Sequence, residues 1–361
     1  MLKEANSLNE AEFRAAQMLR HVLEEVPAFA NVEVRREREA GADPRADVVA
    51  HVDAFGKSQV LVCEVKSSGQ PRHVRMGLLQ LRSYLDQYGK EAVPVFIAPY
   101  LSSHAQALCR EQDVGFLDFE GNVRLAFDGV FIERQVASKP VAEKRELRSI
   151  FKPKSAQVLR VLLREPNRPW RVADLANAAD VSLGHVSNVR TGLLDREWAQ
   201  VSKDGLQLSE PDTLLDAWRD AYEPPHASRQ GFYTTLHGSA LDDAARRVLR
   251  KDGTSGLAVY ASFSAAQWLA PFGRTGMHNF YADEQGLALL QSSLKLSPAS
   301  KGENVVVSVL DDDGLFRDAM EAAPGAFCTS PVQTYLDLAH AGERGREAAD
   351  HLRRERLKWP R

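Results

Sequence analysis

The chain has 361 residues, 44% hydrophobic and 26% charged, the length and composition of two or three globular domains rather than of a fibrous or disordered chain. A net charge of −3 excludes a chain that is basic throughout, so any nucleic-acid surface has to be a local concentration of Lys and Arg. Three cysteines, Cys63, Cys109 and Cys328, odd in number and far apart, give no disulfide framework and no zinc knuckle; a polar N-terminus without a membrane-length apolar run points to a cytoplasmic protein.

The predicted elements begin with a helix capped at Ser7, its apolar or small positions recurring through Phe13, Met18, Leu19 and Leu23 until Pro27 ends it. Strands are expected over 32–36, 47–52 and 60–66, then a helix over 76–88, a strand over 93–98 and a helix over 103–111. VGFLDFEGNVRLAF and DGVFIERQ add two short strands with Gly-Asn and Asp-Gly turns. Strands that alternate with helices predict an α/β domain with a mixed sheet over 1–138. SKPVAEKRELRSIFKPK, polar, basic and broken by proline, reads as a linker or boundary helix over 139–153. Three helices and a strand-turn-strand fill 154–222, and EPPHASRQ is a second polar break. The block 231–361 carries strand patterns over 257–260, 277–281 and 305–310 and helices over 240–250, 264–269 and 333–352. The expected class is therefore multidomain: a mixed-sheet α/β domain, a small helical domain with a wing, and a C-terminal α+β domain.

One hairpin stands out. If the loop AFGK joins its strands with Asp53 opposite Ser58, paired residue numbers sum to 111 and Asp47 lies across from Glu64. Strand side chains alternate, so Glu64 and Lys66 share that face, and a one-residue slip would send Asp47 to the other. Like charges directly opposed are destabilising, and a divalent cation removes the conflict. Mg²⁺ or Mn²⁺ takes one or two carboxylates and completes its shell with waters and phosphate oxygens. Such an ion supplies a nucleophile at neutral pH and polarises a phosphate, while Lys66 orients the water or neutralises developing charge. An E-x-K triplet alone arises by chance about once in a chain this long, and a strand-end Glu-Lys pair is ordinarily a solvated surface pair. The conjunction raises the signal: an upstream Asp in register, a hydrophobic strand, and a following helix with Gln80 and Tyr84 one turn apart.

This segment resembles the PD-(D/E)XK nuclease superfamily, in the branch similar to archaeal Holliday-junction resolvases. The resemblance implies Asp47 and Glu64 as metal ligands, Lys66 as the catalytic lysine and Gln80 as an auxiliary helix residue. It further implies a glutamate in the first helix, for which Glu10, Glu12, Glu24 and Glu25 are all available. Ala46-Asp47 stands where the superfamily often has Pro-Asp.

The stretch 155–211 resembles a winged helix-turn-helix domain. Val158, Leu159, Leu162 and Leu163 line its first helix, and Val172, Leu175 and Ala176 its second. In the third, capped by Ser182, Leu183, Val186, Val189 and Leu193 are expected to face the core. The opposite face offers His185, Ser187, Asn188 and Thr191 to base edges in a major groove, with Arg190 placed for phosphate and Lys203 at the tip of the wing. Between Lys144 and Lys203, twelve Lys and Arg face six Asp and Glu, a local excess that suits phosphate. A purely protein-binding or dimerising winged helix is the competing reading.

His237, His278 and His340 lack metal spacing, and Asp311, Asp312 and Asp313 read as a solvated turn. ASFSAAQWLAP, SPVQTYLDLAHAGERGREAADHL and LDFEGNVRL are similar to segments of AbiEi-type antitoxins and transcriptional regulators of bacterial type IV toxin-antitoxin systems. That resemblance implies a defence setting and, as partners, double-stranded or branched DNA, a cognate toxin and a second copy of the chain. Two functions follow: a Mg²⁺-dependent DNA endonuclease with a winged helix for duplex DNA, or a non-catalytic repressor or antitoxin whose nuclease-like domain only grips DNA or dimerises.

Overall fold

Strands rich in valine at consecutive positions, as in 48–52 and 60–65, have no face to leave in water, so both sides of their sheet need cover. The computed structural model supplies it. It describes residues 2–37, 45–89, 91–137, 139–249, 257–273 and 276–359. These divide into two compact units, residues 1–146 with 194–197 and residues 147–193 with 198–361.

The first unit opens with α1 (Leu2–Glu24), which buries Ala11, Ala15, Leu19, Val22 and Leu23 at helical spacing. It starts upstream of Ser7, which is therefore not its cap, and Phe13, expected on the apolar face, is 51% exposed beneath the Arg36 guanidinium. There follow β1 (Phe29–Arg36), β2 (Val48–Ala54), β3 (Lys57–Val65), α2 (Pro71–Tyr84), β4 (Val93–Ala98) and α3 (Ser103–Glu111). The region expected to hold two short strands holds three, β5 (Gly115–Asp118), β6 (Val123–Phe127) and β7 (Val130–Arg134). The seven strands lie side by side in chain order, with β3, β4 and β5 parallel and the other neighbours antiparallel, a mixed sheet. α1 packs on the side of Val48, Ala50, Cys63 and Val65; α2 and α3 cover the side of Val49, Val62, Phe96 and Phe116. Asp118, fully buried, accepts the amides of Leu101, Glu120 and Asn122, which makes the LDFEGN stretch a turn-building element.

α4 (Val141–Ile150) occupies most of the expected linker. Then come α5 (Pro153–Arg164), α6 (Val172–Ala179), α7 (Leu183–Asp195) and the hairpin β8 (Ala199–Ser202) with β9 (Gly205–Leu208). Trp170 bridges to Leu206 as a third edge of this hairpin, through backbone bonds of 2.7 and 2.9 Å. Gly205 holds φ at +139°, and a Cβ there would strike the Trp170 carbonyl, so the position needs glycine.

The remaining elements are α8 (Pro211–Asp220), β10 (Ala227–Tyr233), α9 (Ser239–Arg246), β11 (Ala258–Tyr260), α10 (Ser262–Leu269), β12 (His278–Ala282), α11 (Glu284–Ser293), β13 (Ser297–Pro298), β14 (Val305–Leu310), β15 (Met320–Ala323), β16 (Ala326–Cys328), α12 (Pro331–Ala339) and α13 (Gly342–Arg356). Their sheet runs β13-β10-β14-β12-β11-β16-β15 and is again mixed. Half of the expected polar break EPPHASRQ is strand β10, and the single helix expected over 333–352 is two, separated at Gly342 with φ +78°. The predicted end of the 240–250 helix at Arg250 lies outside the described residues; α9 ends at Arg246. All three cysteines are buried and unpaired, and no helix among the described residues is long and apolar enough to cross a membrane.

Candidate functional site

The β2–β3 hairpin turns through Phe55 and Gly56, both at positive φ, and pairs Asp53 with Ser58 and Val48 with Cys63. The register is the expected one as far as Val48. There the ladder changes: the Asp47 amide donates 3.0 Å to the carbonyl of Cys63, the residue already paired with Val48. Asp47 lies just before β2, outside the ladder, so it is not the simple cross-strand partner of Glu64 that an uninterrupted ladder predicts. Its Oδ2 instead reaches along the sheet end and accepts the Val65 amide at 2.7 Å. Tyr88 fastens the start of the strand, accepting the Ala46 amide at 3.2 Å and donating to Glu37 at 2.9 Å.

Glu64, 4% exposed, is the buried member. One carboxylate oxygen accepts from the Lys66 ammonium and the other from the Tyr84 hydroxyl. α2 can sit this close because residue 77 is glycine. A Cβ at Gly77 would overlap the Phe96 ring and come within 3.3 Å of the Glu64 Cγ. The Lys66 amide donates 3.0 Å to Ile97, so the lysine is anchored at the end of the parallel β3–β4 pair. Gln80, the expected auxiliary residue, is exposed on α2; the α2 side chain that reaches the acids is Tyr84, one turn further along.

Electrostatics bind these groups into one site. Burial first, then the neighbouring Glu64, push the Asp47 carboxyl up to about 7, against the Val65 amide and Lys66, which pull it down; Glu12 on α1 adds to the upward push. Glu12 is one of the four glutamates the sequence left open in the first helix. Burial and Glu64 raise the Tyr84 phenol, which keeps it a proton donor. Among the described residues no group of three or more His, Cys, Asp or Glu is assembled for a metal. The two carboxylates offer oxygen donors, the type a hard divalent cation takes, and burial with Glu64 outweighs the Val65 amide and Lys66 at Asp47.

In the second unit, α7 buries Val186, Val189 and Leu193, whereas Leu183, expected in the core, is 57% exposed in the first turn. His185, Ser187, Asn188 and Thr191 are exposed together, and Arg190 is half-buried beside them. Ser182 caps the helix, its Oγ accepting the His185 amide at 3.3 Å and lying 2.8 Å from the His185 Nδ1, which turns the other ring nitrogen outward. Lys203 is exposed in the two-residue turn between β8 and β9.

The basic excess of this region is smaller in space than in sequence. Arg148, Lys154, Arg164 and Arg168 are paired with Glu223, Asp312, Asp318 and Glu165, and Arg160 and Arg196 are buried. Arg171, Arg190 and Lys203 carry no ion pair among the described residues. Arg171, at the start of α6, was not singled out by sequence pattern, because an arginine before a helix carries no signal of its own. No protein-family model matches the chain, and no curated protein is significantly similar to it.

Proposed function

We propose that the first unit is a PD-(D/E)XK-like, Mg²⁺- or Mn²⁺-dependent DNA endonuclease and that α5 to β9 form a winged helix that holds duplex DNA. The observation that carries this reading is the cluster itself: Asp47, Glu64 and Lys66 meet at one end of a mixed sheet, with the Asp47 carboxyl pushed up to about 7 by burial and by Glu64. Asp47 and Glu64 would hold the ion, which supplies a water of lowered pKa and polarises the scissile phosphate.

The chain's own groups do the rest. The Val65 amide and the Tyr84 hydroxyl fix the orientation of the two carboxylates. Lys66, whose ammonium touches Glu64, is placed to neutralise charge that develops on phosphate oxygens. For DNA, the exposed His185, Ser187, Asn188 and Thr191 suit base edges, and Arg171, Arg190 and Lys203 suit phosphates. The likeness to AbiEi-type regulators adds a defence or toxin-antitoxin setting, with a cognate toxin and self-association as further proposals.

The test is incubation of the full chain with supercoiled, linear and branched DNA plus Mg²⁺ or Mn²⁺, beside Asp47→Ala and Lys66→Ala. Metal-dependent cleavage lost in both variants supports the reading. Failure to cut any substrate, with duplex binding intact, leaves the non-catalytic repressor.

A further inference from the structure

We propose that the second unit contains a binding site for a small aromatic carboxylate, in a cavity of about 330 Å³ between α5, the segment after α8 and the end of β14. The volume is that of a small-molecule pocket, and the lining combines an apolar wall with a ring of charged and hydrogen-bonding side chains. Phe151 and Trp218 stack with centroids 5.6 Å apart and planes within 4°, and Pro224, Pro225, Leu310 and Leu315 continue the apolar wall. A planar ring slides into such a space with little loss of internal freedom.

The polar groups favour an acid. Three acids at the mouth are already engaged: Glu223 by Arg148 at 3.5 Å, Asp312 by Lys154 at 3.2 Å, and Asp311 by His226. Lys152, exposed at the start of α5, has no ion pair among the described residues. Deeper in the wall Arg160 is 4% exposed, and its partners are distant: Gln333 and the Gly314 carbonyl at 3.4 Å, Asp318 at 3.8 Å. Among the described residues its Nε has no hydrogen-bond partner, and burial lowers its pKa against the upward pull of Asp318, Asp312 and Asp337, so its compensation is incomplete. A carboxylate between Lys152 and Arg160 would supply it, with Tyr222 and Gln333 as further lining hydrogen-bonding groups. Because α5 is both a wall of the cavity and the first helix of the proposed winged helix, occupancy would stabilise the element on which that helix is built.

The probe is 1-naphthoate, titrated calorimetrically into the full chain and followed by thermal melting, with 1-naphthylmethylammonium as a cation of the same ring size. Saturable binding of the naphthoate with a raised melting temperature is expected, at least tenfold tighter than the cation. Lys152→Glu is expected to weaken the naphthoate at least fivefold, Ala156→Leu to abolish it by filling the cavity, and Asp47→Asn to leave it unchanged. Lys152, being exposed, carries the test if Ala156→Leu does not fold. No saturable binding to the wild type, equal affinity for the cation, or undiminished affinity in Lys152→Glu overturns the proposal, whatever the outcome of the cleavage assay.

Discussion

The Tyr84 hydroxyl donates to Glu64 from two turns beyond Gly77, the glycine that lets the same helix rest on that glutamate. Removing the hydroxyl leaves a buried carboxylate oxygen without its donor. Tyr84→Phe is therefore expected to lower stability by about 1–3 kcal/mol, measured by urea unfolding. A variant as stable as the wild type would show that Tyr84 only fills space.

Gly77→Ala separates packing from propensity, because the two pull in opposite directions. In an open helix, alanine for glycine stabilises by roughly 0.5–1 kcal/mol. Here the added methyl overlaps the Phe96 ring, and overpacking of this kind costs about 1–3 kcal/mol. A net loss in thermal stability is expected; a net gain would mean that α2 does not approach Glu64 as closely as described.

Asp47 couples the site to pH. Its folded carboxyl titrates at about 7 against 3.8 for the ordinary group, so the folded chain holds this proton more tightly than the unfolded one. The sign follows: in the absence of metal, this group's contribution to stability is full below the unfolded value and is lost as pH rises from about 4 to about 7, then stays level. A divalent cation favours the charged form, so metal affinity should rise with pH up to about 7 and flatten above. Denaturation from pH 4 to 8, with and without Mg²⁺, measures both slopes, and Asp47→Asn should remove them. Slopes that persist in Asp47→Asn belong to another group.

In the proposed winged helix, Asn188→Ala should relax sequence preference at about one base pair, at roughly 1–3 kcal/mol, while Lys203→Ala should weaken all duplexes alike and flatten the salt dependence. Competition binding at two salt concentrations distinguishes them. Equal losses on specific and random DNA for both variants would mean that α7 is not the reading helix.

Much of this was legible because the sequence states it locally. The two-residue Phe55-Gly56 turn fixes the hairpin register, and valine-rich strands mark the sheet. The departure of Asp47 from the ladder was not legible, since it depends on how the chain enters the sheet rather than on the pattern inside the strand. The start of α2 was misplaced because Arg72, His73 and Arg75 hide its apolar period, and with it the role of Gly77. β10 escaped notice because its Ser-Arg-Gln positions are largely exposed and show no alternation. Leu183 reads as core by spacing, yet it sits in the first turn of α7, before that helix is covered. The cavity has no local signal at all, since its lining is drawn from residues 148 to 333.

The central claim is that Asp47 and Glu64 together hold a divalent ion. Titration of the metal-free chain with Mn²⁺ at pH 8, reporting bound ion directly, tests it. Saturable binding of about one ion per chain, weakened at least tenfold in Asp47→Asn and unchanged in Asn188→Ala, is the predicted result. Wild type and Asp47→Asn binding Mn²⁺ equally, or no saturable binding at all, would contradict it.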